Sequence, residues 1–559
     1  MRAHGQRLHA AMVAAALLLA VAVATPQTAR ADGVGAPAGL RRGLSVRFDA
    51  GEGHACAIRD DGALVCWGDN RWGELGLGDD SDRGDGSGEL PASAVPVGAR
   101  RTAVAVSARG SHTCALRDNG SVICWGHNAA GQLGLGDTAP RGAAPNELPT
   151  PRVPLGTGRT ATAIAAGRHH TCALLDDGSV TCWGDNRAGQ LGLGDTDHRG
   201  DAPGELPTAT VNLGAGRTAT AIVAGALHTC ALRDDGSFIC WGDNEYGTLG
   251  IGTTDTRGDE TGELPTPAVP LGEGRAVIAM AAGDHFNCVL RDDRSIVCWG
   301  DNGDGQLGAG HDENRGDEPD ETFSPVALGE GRTAVAISAG HNHGCAVRDD
   351  GSVVCWGFNL HGQLGVGDTE PRGDEPDELP IPPVPLAGGR PAIAISSGAD
   401  LTCALRDNGS LVCWGHNASG EVGVGNTEMQ GDEPDDLPTP PVPLGGSIRT
   451  PALRIANASV TEGTGSTRYL VFAVTRATVA GHVSVRVETA GGNATAGDDY
   501  EPVTTRISLR SGTGRTNVRI AVIPDAVPEG RETVIVRLSD PRGATIADRR
   551  GVGIIRDND

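Results

Sequence analysis

The sequence predicts an all-β chain in which seven copies of one strand-and-hairpin unit precede a β-sandwich. Three observations carry that prediction. Cys-Trp-Gly occurs seven times, at Trp67, Trp125, Trp183, Trp241, Trp299, Trp356 and Trp414, in steps of 58 residues with a single step of 57. So regular a period means that one supersecondary unit is copied and that the copies stack to bury together what none can bury alone. Gly (85) and Pro (33) are abundant and aromatic residues are only 3%, which suits short strands joined by tight turns. After Gly446 the period stops, and runs such as Tyr469-Leu-Val-Phe-Ala-Val, Val483-Ser-Val-Arg-Val and Val518-Arg-Ile-Ala-Val-Ile suggest about seven strands of a sandwich.

Each unit reads in the same order. In the sixth, Thr333 to Gly340 alternates as a half-buried strand does, and His343 to Val347 and Val353 to Gly357 are two short apolar runs about the turn Asp349-Asp350-Gly351. Gly at the end of such a short turn supplies the positive φ that it needs. Arg294 stands in that place in the fifth unit, which predicts a strained or different turn.

All fourteen Cys fall in pairs ten residues apart: Cys56 and Cys66, Cys114 and Cys124, Cys172 and Cys182, Cys230 and Cys240, Cys288 and Cys298, Cys345 and Cys355, Cys403 and Cys413. With the turn midway, each pair sits across its hairpin at a separation that suits a disulfide. An even count at one fixed spacing in an exported chain favours seven bridges, the alternative being paired buried thiols acting as small apolar residues. Two thiolates per unit are too few for zinc.

Other repeated residues invite functional readings that the pattern resists. His precedes Cys by two residues in five units (His54, His112, His170, His228, His343), but Phe286 and Leu401 take the place elsewhere. Neither can ligate a metal, so the expectation is imidazoles hydrogen-bonded to backbone. Asn follows every Trp by three residues, from Asn70 to Asn417, as a side chain bracing its own turn would. Arg-Gly-Asp begins at Arg83, Arg199, Arg257, Arg315 and Arg372 and degrades at Arg141 and Gln430, which marks solvated turn chemistry inherited by each copy. Seven such loops on one face would make an acidic rim for cations or a basic partner. No nucleophile elbow, zinc-protease helix or phosphate-cradling loop occurs, so no catalytic residue is assigned and a non-enzyme is expected.

The order His-x-Cys, Asp-Asp-Gly, Cys-Trp-Gly-x-Asn and Gly-Gln-Leu-Gly resembles the regulator of chromosome condensation repeat family over residues 44–446. The resemblance implies a seven-bladed β-propeller. The first unit lacks an upstream Pro-Val-Pro-Leu while the last ends with Pro441-Val-Pro-Leu444, so the segment near Val442 is expected to complete the blade begun at Ser45 to Ala50.

In the C-terminal segment, up-and-down strands bring Glu462, Asp498-Asp499, Asp525 to Glu532 and the tail Asp557-Asn558-Asp559 to one end. Acids from distant segments repel unless a cation sits among them, and hard oxygen ligands favour calcium over a merely solvated acidic tip. Val460-Thr-Glu462-Gly, Ala494-Thr-Ala-Gly-Asp-Asp-Tyr500, Asp525-Ala-Val-Pro-Glu529-Gly-Arg-Glu532 and Ile554-Ile-Arg-Asp557-Asn-Asp559 resemble a Calx-beta domain. That resemblance implies calcium ligands at Glu462, Asp499, Asp525, Glu529, Glu532, Asp557 and Asp559, with Pro524 and Arg556 departing from the family pattern.

The boundaries expected are a secretory signal peptide at 1–31, a linker at 32–43, the propeller at 44–446, a linker at 447–452 and the sandwich at 453–559. The signal is read from Arg2 and Arg7 before the apolar run Ala11 to Ala24, which is too short to span a bilayer. A net charge of −25, with Arg and no Lys, excludes the electrostatic footprint of a nucleic-acid binder. The same export signal and acid excess conflict with the family's role in nucleotide exchange at chromatin. The expectation is a secreted or cell-surface monomer that binds a protein or glycan, with a secreted hydrolase inhibitor and a glycan-acting enzyme as the alternatives.

Overall fold

The computed structural model describes residues 47–272, 274–448, 452–462, 467–476, 483–509, 514–524, 530–542, 545–546 and 548–556. Each repeat folds into a three-stranded antiparallel sheet, from Phe48–Ala50, His54–Ile58 and Leu64–Gly68 in blade 1 to Ala392–Ser397, Leu401–Arg406 and Leu411–Gly415 in blade 7. A Pro-Val-Pro-type segment then lies along the third strand, held in blade 2 by Val153 N–H donating to Val122 O at 2.9 Å. The expected partner of Val442 is corrected here. Its N–H bonds to Leu411 O in its own blade at 2.9 Å, while Phe48–Ala50 pairs with His54–Ile58 as the first strand of blade 1. Blade 1 already owns a first strand and an outer segment at Val95, so no strand needs to be lent.

The ring closes by packing instead. Phe48, Ala50, Val65 and Trp67 share one core with Leu401, Leu405, Cys403, Cys413, Val442 and Ile448. Trp67 Nε1 donates to Glu421 O at 2.8 Å, and Ala399 N–H donates to Gly51 O at 3.1 Å. Asp60 N–H also reaches Ser447 O at 2.9 Å, so the packing runs past Gly446 into residues that the repeat pattern leaves to the linker. The same arrangement recurs at every interface: each buried Trp lies in a cluster with the cystine of the preceding blade, as Trp241 does with Cys172 and Cys182. Packing a large ring against the neighbour supplies most of the burial that a three-stranded sheet cannot make alone.

All seven predicted disulfides are present, between directly opposed residues with Cα atoms 4.0 to 4.1 Å apart. The turn at Arg294 is strained but not different. Arg294 has φ 67°, and its N–H donates to Arg291 O at 2.9 Å just as Gly351 N–H does to Arg348 O.

The C-terminal unit is a sandwich of two sheets, in the order Arg515–Val522, Arg468–Arg476, Ala452–Ile455, Thr545–Ile546 and the order Ala458–Thr461, Arg550–Arg556, Glu532–Arg542, Val483–Gly492, Thr504–Leu509. The chain enters the sandwich through two short strands, Ala452–Ile455 in one sheet and Ala458–Thr461 in the other, which ties the sheets together. Leu470, Phe472, Val485, Val487, Ile520, Val534 and Val536 fill the space between.

Candidate functional site

The five histidines are structural, but their partners are not backbone atoms. Each Nε2 meets the side chain 59 residues on, in the next blade: His54 with Thr113 at 2.7 Å, His112 with Thr171 at 2.9 Å, His170 with Thr229 at 2.9 Å, His228 with Asn287 at 3.1 Å and His343 with Thr402 at 2.9 Å. The Thr hydroxyl in turn donates to a loop carbonyl, as Thr171 does to Gln132 O at 3.0 Å, and the indole of Trp183 donates to that same oxygen at 2.9 Å. A hydroxyl has one proton, so the imidazole must be the donor and carries its hydrogen on Nε2. Asn287 Oδ1 can only accept, which fixes the same tautomer at His228.

Units without His have no polar partner. Phe286 faces the blade whose corresponding residue is Gly344, and Leu401 faces Ala55. The imidazoles are fully buried and neutral, with burial pushing the pKa of His170 and His343 to about 3 and of His54 and His228 to about 4.

Asn and Arg-Gly-Asp are also spent on the scaffold. Asn70 Nδ2 donates to Asp79 O at 2.8 Å while its Oδ1 accepts Leu75 N–H at 2.9 Å, and the pair of bonds recurs in every unit. The Arg of six loops, and Gln430 in the seventh, bridges the Gly of Cys-Trp-Gly, and Arg83 also pairs with Asp79 at 2.7 Å. The following Gly touches the neighbouring blade: a Cβ on Gly142 would fall 2.4 Å from Gly73 O. These tripeptides are therefore inter-blade contacts, held more tightly than the solvated turns expected from sequence.

What remains variable lies at one end of the strands. The two residues after the constant Asn are Arg71-Trp72, Ala129-Ala130, Arg187-Ala188, Glu245-Tyr246, Gly303-Asp304, Leu360-His361 and Ala418-Ser419. Among them Trp72 and Leu360 expose large apolar surface. Between blades 2 and 3 this face holds a cavity of about 240 Å³ lined by His127, Ala129, Ala130, His169, Asp185, Arg187 and His198. The Trp72 ring stands edge-on to His127 at 5.0 Å, and His127 lies 5.9 Å from His169.

The same face is braced across its centre. Arg109 of blade 2 donates to Ala282 O at 2.7 Å and to Asp284 Oδ1 at 3.2 Å, both in blade 5. Burial opposes the charge of Asp284, yet His341 and Arg109 hold its carboxyl below the usual range. This strut was legible as the one Arg in a column otherwise filled by Gly51, Gly167, Gly225, Gly283, Gly340 and Gly398.

In the sandwich, three of the seven expected calcium ligands lie within the described residues. Glu462 follows Thr461, which pairs with Arg556, and Glu532 pairs with Ile555, so both flank the end of one strand. Asp499 sits in the loop tied to Thr533 through Asn493, whose Oδ1 accepts Thr533 N–H at 2.7 Å. Its Oδ2 accepts Thr495 N–H at 2.5 Å. Glu462 and Asp499 are buried carboxylates, a donor set that suits a hard cation. Asp525, Glu529, Asp557 and Asp559 lie outside the described residues, and among the described residues no cluster of three or more metal-type side chains is formed. No helix among them is long and apolar enough to cross a membrane.

Comparison with known proteins agrees with these two parts. Residues 23–384 match the RCC1-like domain, 392–421 the regulator of chromosome condensation (RCC1) repeat, and 451–553 the Calx-beta domain. The ultraviolet-B receptor UVR8 of Arabidopsis thaliana is 29% identical over 384 residues, 68% of this chain and 79% of the receptor. The human E3 ubiquitin-protein ligase HERC2 is 29% identical over 328 residues, which are 58% of this chain but only 6% of the ligase. Human WBSCR16 shares the propeller fold at 21% identity and a TM-score of 0.51, over 64% of this chain and 86% of that one.

Proposed function

The chain belongs to the RCC1-like domain family, and from that premise we propose that it is an exported, non-enzymatic binding protein whose propeller presents one variable face to a protein or glycan. One observation carries the reading. The seven copies share the Trp, cystine and Asn that hold the ring together and differ on one face, at exposed Trp72 and Leu360 and half-buried Tyr246 and His361. Residues freed from structural duty and gathered on a rigid scaffold are where recognition is built. Seven cystines and a Calx-beta domain favour an extracytoplasmic location, where disulfides persist. Calcium bound by Glu462, Asp499, Glu532 and the flanking acidic segments would neutralise the acidic end of the sandwich and stiffen it as a spacer or adhesive module.

The test is capture by the immobilised full chain from the medium or envelope fraction of its source cells, with and without calcium, beside a chain carrying Trp72→Ala, Tyr246→Ala and Leu360→Ala. A stoichiometric partner lost from the substituted chain supports the reading. Catalytic turnover of a captured molecule, or capture unaffected by the three substitutions, overturns it.

A further inference from the structure

We propose that the cavity between blades 2 and 3 binds the carboxylate of a uronic acid, with the sugar ring seated against the row Trp72, His127 and His169. This deepens the binding-face reading and rests on it.

The polarity of the cavity is one-sided. Ala130 N–H donates to Gln132 Oε1 at 3.0 Å, which fixes the amide so that Gln132 Nε2 donates to His127 Nδ1 at 3.0 Å. The neutral His127 ring therefore keeps its hydrogen on Nε2. At His198, Nδ1 lies 3.1 Å from Asn186 N and 3.3 Å from Asp185 Oδ1, so this ring is held by its own neighbours. Arg187 adds a guanidinium. The carboxylate that lines the cavity is not offered to a ligand: Asp185, 1% exposed, accepts Arg187 Nε at 3.0 Å and Nη2 at 2.9 Å. Nearby Glu52 is held by Arg168 at 3.2 Å.

The polar groups with a fixed hydrogen are thus His127 Nε2–H and the Arg187 guanidinium, both donors, in a protein whose net charge is −25. A ligand fitted to such a wall brings acceptors, and a carboxylate offers about four lone pairs with no hydrogen to leave unpaired. A neutral hydroxyl brings an O–H as well, for which neither His127 Nε2–H nor the Arg187 guanidinium offers an acceptor.

The shape selects the rest of the ligand. Ala129 and Ala130 are short where other blades carry Arg71-Trp72, Glu245-Tyr246 or Leu360-His361, so a hollow opens beside His127. Trp72, 41% exposed, extends the aromatic row at its edge. Aromatic surface beside fixed donors, its rings turned by 65° and 58° to one another, matches a carboxylated ring with apolar C–H groups on one side and the charge at its rim. The side chain of an acidic peptide would use the donors and leave the row bare.

The experiment is calorimetric titration of the full chain with methyl glucuronoside and methyl galacturonoside, beside methyl glucoside and a tetraglutamate peptide. At least one uronoside binds, the glucoside binds at least tenfold more weakly, His127→Ala and Arg187→Gln each weaken uronoside binding at least tenfold, and Trp72→Ala weakens it several-fold, with unchanged thermal melts showing that the variants fold. Failure of both uronosides to bind, equal binding of the glucoside, or indifference to the three substitutions overturns the proposal. Binding of the peptide alone overturns the saccharide and leaves an acidic protein in its place. A chain that captures its partner normally after all three changes loses this site and keeps the binding-face reading.

Discussion

The His–Thr relay between blades makes a quantitative prediction that the chain has already sketched. Thr171→Ala removes the hydroxyl that accepts His112 Nε2–H at 2.9 Å, leaving a buried donor without an acceptor. Stranding such a group costs about 1–3 kcal/mol, and the lost methyl adds about 0.8 kcal/mol. His112→Leu is cheaper in polar terms, about 1 kcal/mol, because Thr171 still donates to Gln132 O and loses only an incoming bond. The double variant strands nothing and reproduces the Leu401 and Ala55 pairing found between blades 7 and 1. It should therefore cost about 1–2 kcal/mol less than the two single changes together. Urea unfolding followed by Trp fluorescence without reductant, at unchanged m, measures the cycle. Additivity to within about 0.3–0.5 kcal/mol would refute the relay as a coupled unit.

Further predictions concern acid, metal and a turn. The relay histidines titrate in the unfolded chain near pH 6.5 but not until about pH 3 to 4 when folded, so the unfolded state binds more protons between those limits and stability falls as pH drops through that window. Buried Asp49 and Glu74, raised to about 6 and about 8, act in the opposite sense. Five imidazoles, His112 included, outnumber these two carboxyls, so the propeller should lose stability as the pH falls from 7 to 5, and a melt equally stable at both would contradict it. Millimolar calcium should raise the melting transition of the sandwich in the full chain, by about 2.7 kcal/mol at a hundredfold excess over Kd, with Glu462→Gln and Asp499→Asn diminishing the shift. Arg294→Gly should stabilise blade 5 by about 1 kcal/mol, since φ 67° costs an L-residue about 1–2 kcal/mol and glycine returns part of that through its freer unfolded chain. A lower urea midpoint for the glycine variant would show that the Arg294 side chain outweighs its backbone strain.

How much was readable beforehand follows the distance over which each interaction acts. The hairpins, the ten-residue cystines and the turn at Arg294 are contacts within one copy, so spacing alone located them. The Val442 segment was misassigned because a repeat shows period but not phase: an outer segment before or after the sheet gives the same string, and only the hydrogen bond to Leu411 decides. The histidine partners were missed because the bond skips to the next copy. Aligned copy on copy, Phe286 and Leu401 are mere exceptions, whereas aligned with an offset of one unit they fall opposite Gly344 and Ala55, and each His falls opposite Thr or Asn.

That offset comparison separates scaffold from surface within a single chain. A position whose identity changes only together with its neighbour in the next blade is bound by packing, as His228 with Asn287 and Phe286 with Gly344 are. Trp72, Tyr246, Asp304 and His361 differ from copy to copy while touching the next blade at His127, His285, Asn342 and His416, and the strut Arg109 to Asp284 joins blades too far apart to belong to any neighbour rule. Seven identical copies would present a sevenfold face with equivalent sites. The short pair Ala129-Ala130 instead opens a hollow beside Trp72 and His127 at the interface of blades 2 and 3. A partner recognised there should therefore bind in one orientation and with a stoichiometry of one, whereas several equivalent sites per chain in the titration would mean that the repeated loops, and not their differences, make the contact.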